Sequence, residues 1–283
     1  MLRQRVITAL VLLALLLPAM FYASPEPLAA MALVLISAGA WEWARLNGLG
    51  EKNAIFVGAL CALACALAWH AGALENPGRF RGLWLAVGAF WVLAAALLLK
   101  AGVTCWGKVS QSLRVIAGFV LIFLAWLAVA QAKSIGTNLL LSVLLLVWVA
   151  DIFAYFVGRS FGGRFTNTKL APSISPGKSW EGVWGGAAGV LVLALCWQLA
   201  DRYFQAKVPS QYSQWLRHGW GFFLTATLLM TAMSVAGDLV ESLVKRSAGA
   251  KDSSNLLPGH GGVLDRVDAL LPVLPLAMAL HFY

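Results

Sequence analysis

Residues 138–157 read NLLLSVLLLVWVADIFAYFV. A helix of about 20 residues rises roughly 30 Å, the thickness of a bilayer's hydrocarbon core. The only ionisable acid or base in this run besides Tyr155 is Asp151, so the segment is apolar enough to span a membrane. Similar runs flank it on both sides. Together they make nine candidate spans, covering roughly 5–22, 27–46, 54–71, 82–99, 115–131, 138–157, 183–200, 219–237 and 267–282. The last is short and carries Pro272 and Pro275, which a membrane helix tolerates where neighbours satisfy the freed carbonyls. The chain is 60% hydrophobic and 12% charged over 283 residues, whereas a soluble domain is nearer half apolar and a quarter charged. The sequence therefore predicts an all-α, polytopic transmembrane protein of about nine spans.

The formal net charge is +9. In a soluble protein that balance would suggest nucleic acid. Here the charges gather between apolar runs, which argues for orientation signals and anionic lipid headgroups and against a nucleic-acid partner. With the N-terminus in the cytoplasm, 15 of the 21 Lys and Arg fall on inside segments and span ends. The outside loops keep only Arg79, Arg81, Lys133, Arg202, Lys207 and Arg217. This bias follows the positive-inside rule and puts the two longest charged loops, 158–182 and 238–266, in the cytoplasm. Arg3 and Arg5 before an apolar stretch imitate a secretory signal, but the stretch from Val6 to Tyr22 exceeds the usual signal core and reads as a membrane segment. Four cysteines form no CxxC pair and read as small hydrophobes.

The densest polar segment runs from 238 to 268, between two apolar spans. If helix continues through its start, Asp238, Ser242 and Lys245 share one face. Asp265 and Asp268, three apart, share another. Between them lie cations and the turn Pro258-Gly259-His260-Gly261-Gly262. Carboxylates among basic groups suit a nucleoside triphosphate with its magnesium, which one or two carboxylates and phosphate oxygens commonly hold. Lys and Arg neutralise leaving-group charge, and Gly261-Gly262 lets backbone N–H groups approach an anion. Glu241 and Lys245, four apart, read as an ordinary surface pair.

Residues 242–268, SLVKRSAGAKDSSNLLPGHGGVLDRVD, resemble the full signature of the phosphatidate cytidylyltransferases. The match covers Ser242, Lys245, Arg246, Lys251, Asp252, His260, Gly261, Gly262, Asp265, Arg266 and Asp268. Asp151-x2-Ala154-Tyr155-x2-Gly158-Arg159-x-Phe161-Gly162 is similar to that family's pattern at the end of a central span. Asp151 lies about 12 Å along the helix from Arg159. An acid at mid-membrane costs roughly 2.5–3.5 kcal/mol, so Asp151 should face a polar cleft or a basic partner. A third element is Ser175-Pro176-Gly177-Lys178-Ser179. Serine then proline predicts a helix start, with Ser175 as N-cap and Pro176 in the first turn. The free N–H groups beyond it would form an anion site reinforced by Lys178. Gly177 stands where the family often has a second basic residue, which leaves one fewer phosphate contact.

The resemblance implies an enzyme that makes CDP-diacylglycerol and pyrophosphate from CTP and phosphatidate, with Mg²⁺ as cofactor and room for a second cation of the kind two-metal sites use. On that reading Asp238, Asp265 and Asp268 hold the metal. Lys245, Arg246, Lys251 and Arg266 hold triphosphate or lipid phosphate, with Asp238, Asp265, Lys245 and Arg246 at the reacting centre. Asp151, Arg159, Ser175, Lys178, Ser179, Ser242, Asp252, His260, Gly261 and Gly262 complete the substrate site. Residues 138–283 would form the catalytic region, and residues 1–137 carry no assigned motif. The resemblance also implies a bacterial-type inner membrane, with the site facing the cytoplasm. A homodimer rests on base rates alone. An ion-coupled carrier using Asp151 and Asp238 is the competing class, and a CTP-dependent polyprenol kinase the competing enzyme.

Overall fold

The computed structural model describes the backbone of residues 2–283 and the side chains of residues 6–283. It is nearly all helix. The helices are α1 (Leu2–Phe21), α2 (Glu26–Leu46), α3 (Glu51–His70), α4 (Arg81–Ala101), α5 (Val103–Trp106), α6 (Gln111–Ile135), α7 (Thr137–Phe161), α8 (Trp180–Tyr203), α9 (Gln211–Arg217), α10 (Trp220–Ser247), α11 (Leu264–Val267) and α12 (Leu270–His281). A two-stranded hairpin, β1 (Lys169–Ala171) and β2 (Ser175–Ser179), interrupts them between α7 and α8.

By length and composition, seven of the described helical segments can cross a membrane: α2, α3, α4 with the short turn before it, α6, α7, α8 and α10. The two other expected spans are also helical. The apolar part of α1 is Val6–Phe21. Helix α12 has 12 residues, about 18 Å of rise, and is buried along most of its length from Leu271 to Ala279. A helix apolar on every side is a core element, and α12 packs between α4, α6 and α10.

Close helix packing positions the polar residues. Helix α8 presents Gly182, Gly185, Gly186 and Gly189 to α7. A Cβ at Gly182 would lie 2.9 Å from the Ala154 carbonyl, and one at Gly186 would lie 2.9 Å from that of Ala150. Small residues let the two backbones approach, which sets the start of α8 against the Asp151 end of α7. Gly237 plays the same part on α10, where a Cβ would sit 2.7 Å from the Asp268 carbonyl and 2.8 Å from Pro272. Asp268 is thereby held against the turn of α10 that carries Asp238.

Two expectations about element ends change. Ser175 does not cap a helix, because Ala171 pairs with it and Lys169 with Ser179 across the antiparallel hairpin. Pro176 fits a short edge strand that needs no N–H at that position. The N-cap of α8 is Ser179, whose hydroxyl accepts from the Gly182 N–H at 3.2 Å. Helix α10 does not end near residue 237 but runs on to Ser247, so the first third of the expected 238–266 loop is helix.

Candidate active site

A cavity of about 390 Å³ opens between α7, β2, the start of α8 and α10. Helix α7 lines it with Asp151, Tyr155 and Arg159, β2 with Lys178 and Ser179, and α10 with Asp238. The Lys178 ammonium donates to Asp238 Oδ2 at 2.6 Å. Ser242 Oγ donates to Asp238 Oδ1 at 3.3 Å, as the shared helix face predicted. Arg159 Nη1 donates to the Tyr155 hydroxyl at 2.7 Å. Asp238 and Lys178 are the charge neighbours of Asp151, and both also act on Asp268. On the cavity wall itself two carboxylates, Asp151 and Asp238, stand beside two cations, Lys178 and Arg159. Among the described residues no three acidic, His or Cys side chains form a ready-made metal cage.

The remaining signature residues form a second layer. Lys245 does not reach the cavity. Its ammonium lies 2.5 Å from Glu241 and 2.6 Å from Asp265. Glu241 is only 3% exposed, so the surface-pair reading of Glu241 is wrong: α10 continues past the expected boundary and α11 and α12 close over it. Asp265 does not converge with Asp238 on a shared cavity wall. Lys245 occupies its Oδ1, while Oδ2 accepts from Ser253 N (2.9 Å), Ser253 Oγ (2.9 Å) and Gly262 N (2.8 Å). Burial alone would raise the Asp265 pKa, but the Lys245 pair and the Gly262 and Ser253 amides hold its carboxyl below the ordinary carboxylate range. Arg246 also points elsewhere, with Nε on the Ile174 carbonyl at 3.3 Å and Nη1 on that of Ala250 at 3.1 Å. It joins the hairpin turn to the loop after α10.

Lys251 and Asp252 line a separate cavity of about 420 Å³ together with Arg45. Arg266 donates Nε and Nη2 to the His260 carbonyl at 2.9 and 2.5 Å. Gly261 adopts φ +84, a conformation that glycine tolerates best. At Gly262 a Cβ would collide with Ser253 Oγ and Glu42 Oε1. The glycine pair therefore serves close approach to protein groups rather than to the cavity.

Glu42 is the residue that sequence reasoning missed. It is fully buried on α2. Its carboxylate accepts from Val263 N (2.9 Å), Leu264 N (2.7 Å), Ser253 Oγ (3.2 Å) and Ser254 Oγ (2.5 Å). A signal was present: Glu42 is an acid inside an apolar run, the same cue that singled out Asp151. Glu181 similarly turns out to be buried, with Oε1 accepting from Phe165 N, Thr166 N and Thr166 Oγ1, and it shapes the chain leading into the hairpin.

The polar cavity is thus walled by membrane-length helices, and the 242–268 stretch meets it through Ser242, which donates to Asp238. The chain matches the cytidylyltransferase family model over residues 3–283. The chain belongs to the cytidylyltransferase family. A phosphatidate cytidylyltransferase of Pseudomonas aeruginosa is 39% identical over 99% of this chain and 97% of its own length. One of Haemophilus influenzae is 34% identical over 100% of this chain and 99% of its own. One of Bacillus subtilis is 39% identical over 53% of this chain and 49% of its own. As a cytidylyltransferase, the chain is a nucleotidyl-transferring enzyme, and the resemblance drawn from residues 242–268 is borne out. The carrier reading falls with it.

Proposed function

We infer that this cytidylyltransferase acts on CTP and phosphatidate, giving CDP-diacylglycerol and pyrophosphate for phospholipid synthesis. The observation that carries the reading is similarity to phosphatidate cytidylyltransferases along nearly the whole chain, joined to a charged cavity at the side of a membrane helix bundle. An oxygen of the lipid phosphate attacks the α-phosphorus of CTP. The bond from that phosphorus to the bridging oxygen breaks, and its electrons leave on pyrophosphate. The attacking phosphate is already anionic near neutral pH, so no general base is required, and the work of the protein is positioning and charge stabilisation. Lys178 and Arg159 are the cations on the cavity wall, suited to binding the phosphates and to offsetting charge on the leaving group. Arg266 is suited to the lipid phosphate.

The donor set around Asp238 fits a magnesium ion. Asp238 and Asp151, the two carboxylates on the cavity wall, would hold it together with phosphate oxygens and water, and the bound ion would neutralise phosphate charge during transfer. Asp265 is better suited to holding the loop than to holding metal, since it lies off the cavity wall and four protein donors converge on its carboxylate. The positive-inside bias supports a cytoplasmic N-terminus and a cavity open to the cytoplasm, in a bacterial inner membrane.

The test is purified protein with CTP, phosphatidate and magnesium. Pyrophosphate and CDP-diacylglycerol should appear in equal amounts. Release of CDP with a phosphorylated lipid would point to a kinase and overturn the reading.

A further inference from the structure

A second groove, apart from the polar cavity, encloses about 200 Å³ beside α1, α2, α6, α7 and α12. Its walls include Leu35 and Ile36 of α2, Trp148 of α7, and Leu270 and Leu274 of α12. Among the described residues that line it, Arg266 alone is charged. Arg266 precedes α12, so the guanidinium marks one end and the Leu270–Leu274 face leads away from it. Nε and Nη2 on the His260 carbonyl fix that guanidinium in place. None of the ion pairs among the described residues includes Arg266. An arginine stays protonated, so the groove combines a fixed, unneutralised cation with an apolar trough within the bundle. Its chemical complement is an anionic amphiphile.

The groove and the polar cavity share the wall that α7 provides. On α7, Trp148 lines the groove and Asp151 lines the cavity, about 4.5 Å apart along the axis. Just before α12, Val267 lines the groove, and the carbonyl of the next residue, Asp268, packs against Gly237, the neighbour of Asp238 on α10. A lipid whose tail lay in the groove would bring its headgroup to the cavity.

We propose that this groove holds an acyl chain of phosphatidate while Arg266 receives the lipid phosphate. The assignment rests on phosphatidate being the lipid substrate. It makes the groove a determinant of chain length: long chains gain apolar contact that short chains cannot reach.

Two groove-filling variants, Ala32→Phe and Leu35→Trp, test it. The readout is kcat/KM for dioleoyl phosphatidate divided by that for dihexanoyl phosphatidate in the same detergent. The ratio should fall at least tenfold in both variants, through the Michaelis constant of the long-chain lipid. An unchanged ratio in an active variant overturns the groove. Should either variant misfold, wild-type protein is labelled with a phosphatidate carrying a photoreactive group at its acyl terminus. Label should fall on peptides of α2 and α12, and excess dioleoyl phosphatidate should displace it where phosphatidylcholine does not. Label elsewhere, or equal displacement by phosphatidylcholine, also overturns the groove. Active wild type with an unchanged ratio removes the groove alone, whereas wild type that releases no pyrophosphate with either lipid removes the substrate reading itself.

Discussion

Glu42 of α2 and Leu264 of α11 are joined by a 2.7 Å hydrogen bond from the Leu264 N–H to a buried carboxylate oxygen. The same side chain holds Val263, Ser253 and Ser254. One acid near the start of the chain therefore sets the shape of the loop between α10 and α11, and with it the position of Asp265 and Arg266.

Replacing Glu42 by Gln puts a donor where an acceptor stood and leaves buried N–H or O–H groups unpaired. Each unpaired group costs about 1–3 kcal/mol. Glu42→Gln should lower the thermal midpoint in detergent and reduce CTP turnover at least tenfold, and Glu42→Ala should be worse. Gly262→Ala should resemble Glu42→Gln, because its Cβ would displace the same carboxylate. Wild-type stability and turnover in all three variants would show that the loop holds its shape without Glu42.

Asp265 lends itself to a pH experiment. Its carboxyl is held below the ordinary carboxylate range. The stability it contributes is therefore fully present above about pH 4, the unfolded value, and is lost as pH falls through the lower folded value. Asp265→Asn also leaves the buried Lys245 with one fewer anion, a loss on the order of 3 kcal/mol. The thermal midpoint of Asp265→Asn should lie well below wild type at pH 6, and the gap should narrow below about pH 4. A gap that stayed constant down to pH 3 would contradict this linkage.

Asp238 and Lys178 should behave as a cavity pair. Asp238→Asn should cost on the order of a hundredfold in turnover, the equivalent of about 3 kcal/mol, with little change in thermal midpoint because the site is half exposed. Lys178→Ala should raise the Michaelis constant for CTP more than that for phosphatidate. Pyrophosphate release titrated with CTP, lipid and magnesium reads both. Near wild-type turnover of Asp238→Asn at ordinary magnesium would remove the proposed metal role.

Orientation is open to direct labelling. Asn255→Cys in a background lacking the native cysteines should react with a membrane-impermeant thiol reagent only from the cytoplasmic face of sealed vesicles. Reaction from the outer face alone would reverse the orientation.

The membrane class, most of the helices and the family were legible in linear sequence. Apolar length sets helix number through the thickness of a bilayer, and the 27 residues of 242–268 carry their meaning locally. Asp238, Ser242 and Lys178 were legible as candidates, and the structure brings them together, with Asp238 and Lys178 on one cavity wall and Ser242 donating to Asp238. Sequence alone could not say where each charged side chain would point. Asp265 was expected to hold metal and Lys245 to hold phosphate, yet each is occupied by protein partners, because α10 runs on to Ser247 and α11 and α12 close over it. Helix propensity alone does not mark that extension. Ser175 was misplaced because an edge strand and a helix start make similar use of serine and proline, and only pairing with Ala171 separates them. Glu42 was overlooked because its partners lie more than 200 positions away. Composition and spacing are local and survive in the linear chain. Which carboxylate is satisfied by the protein and which is left for a ligand depends on contacts between distant segments, and only the packed bundle brings those together.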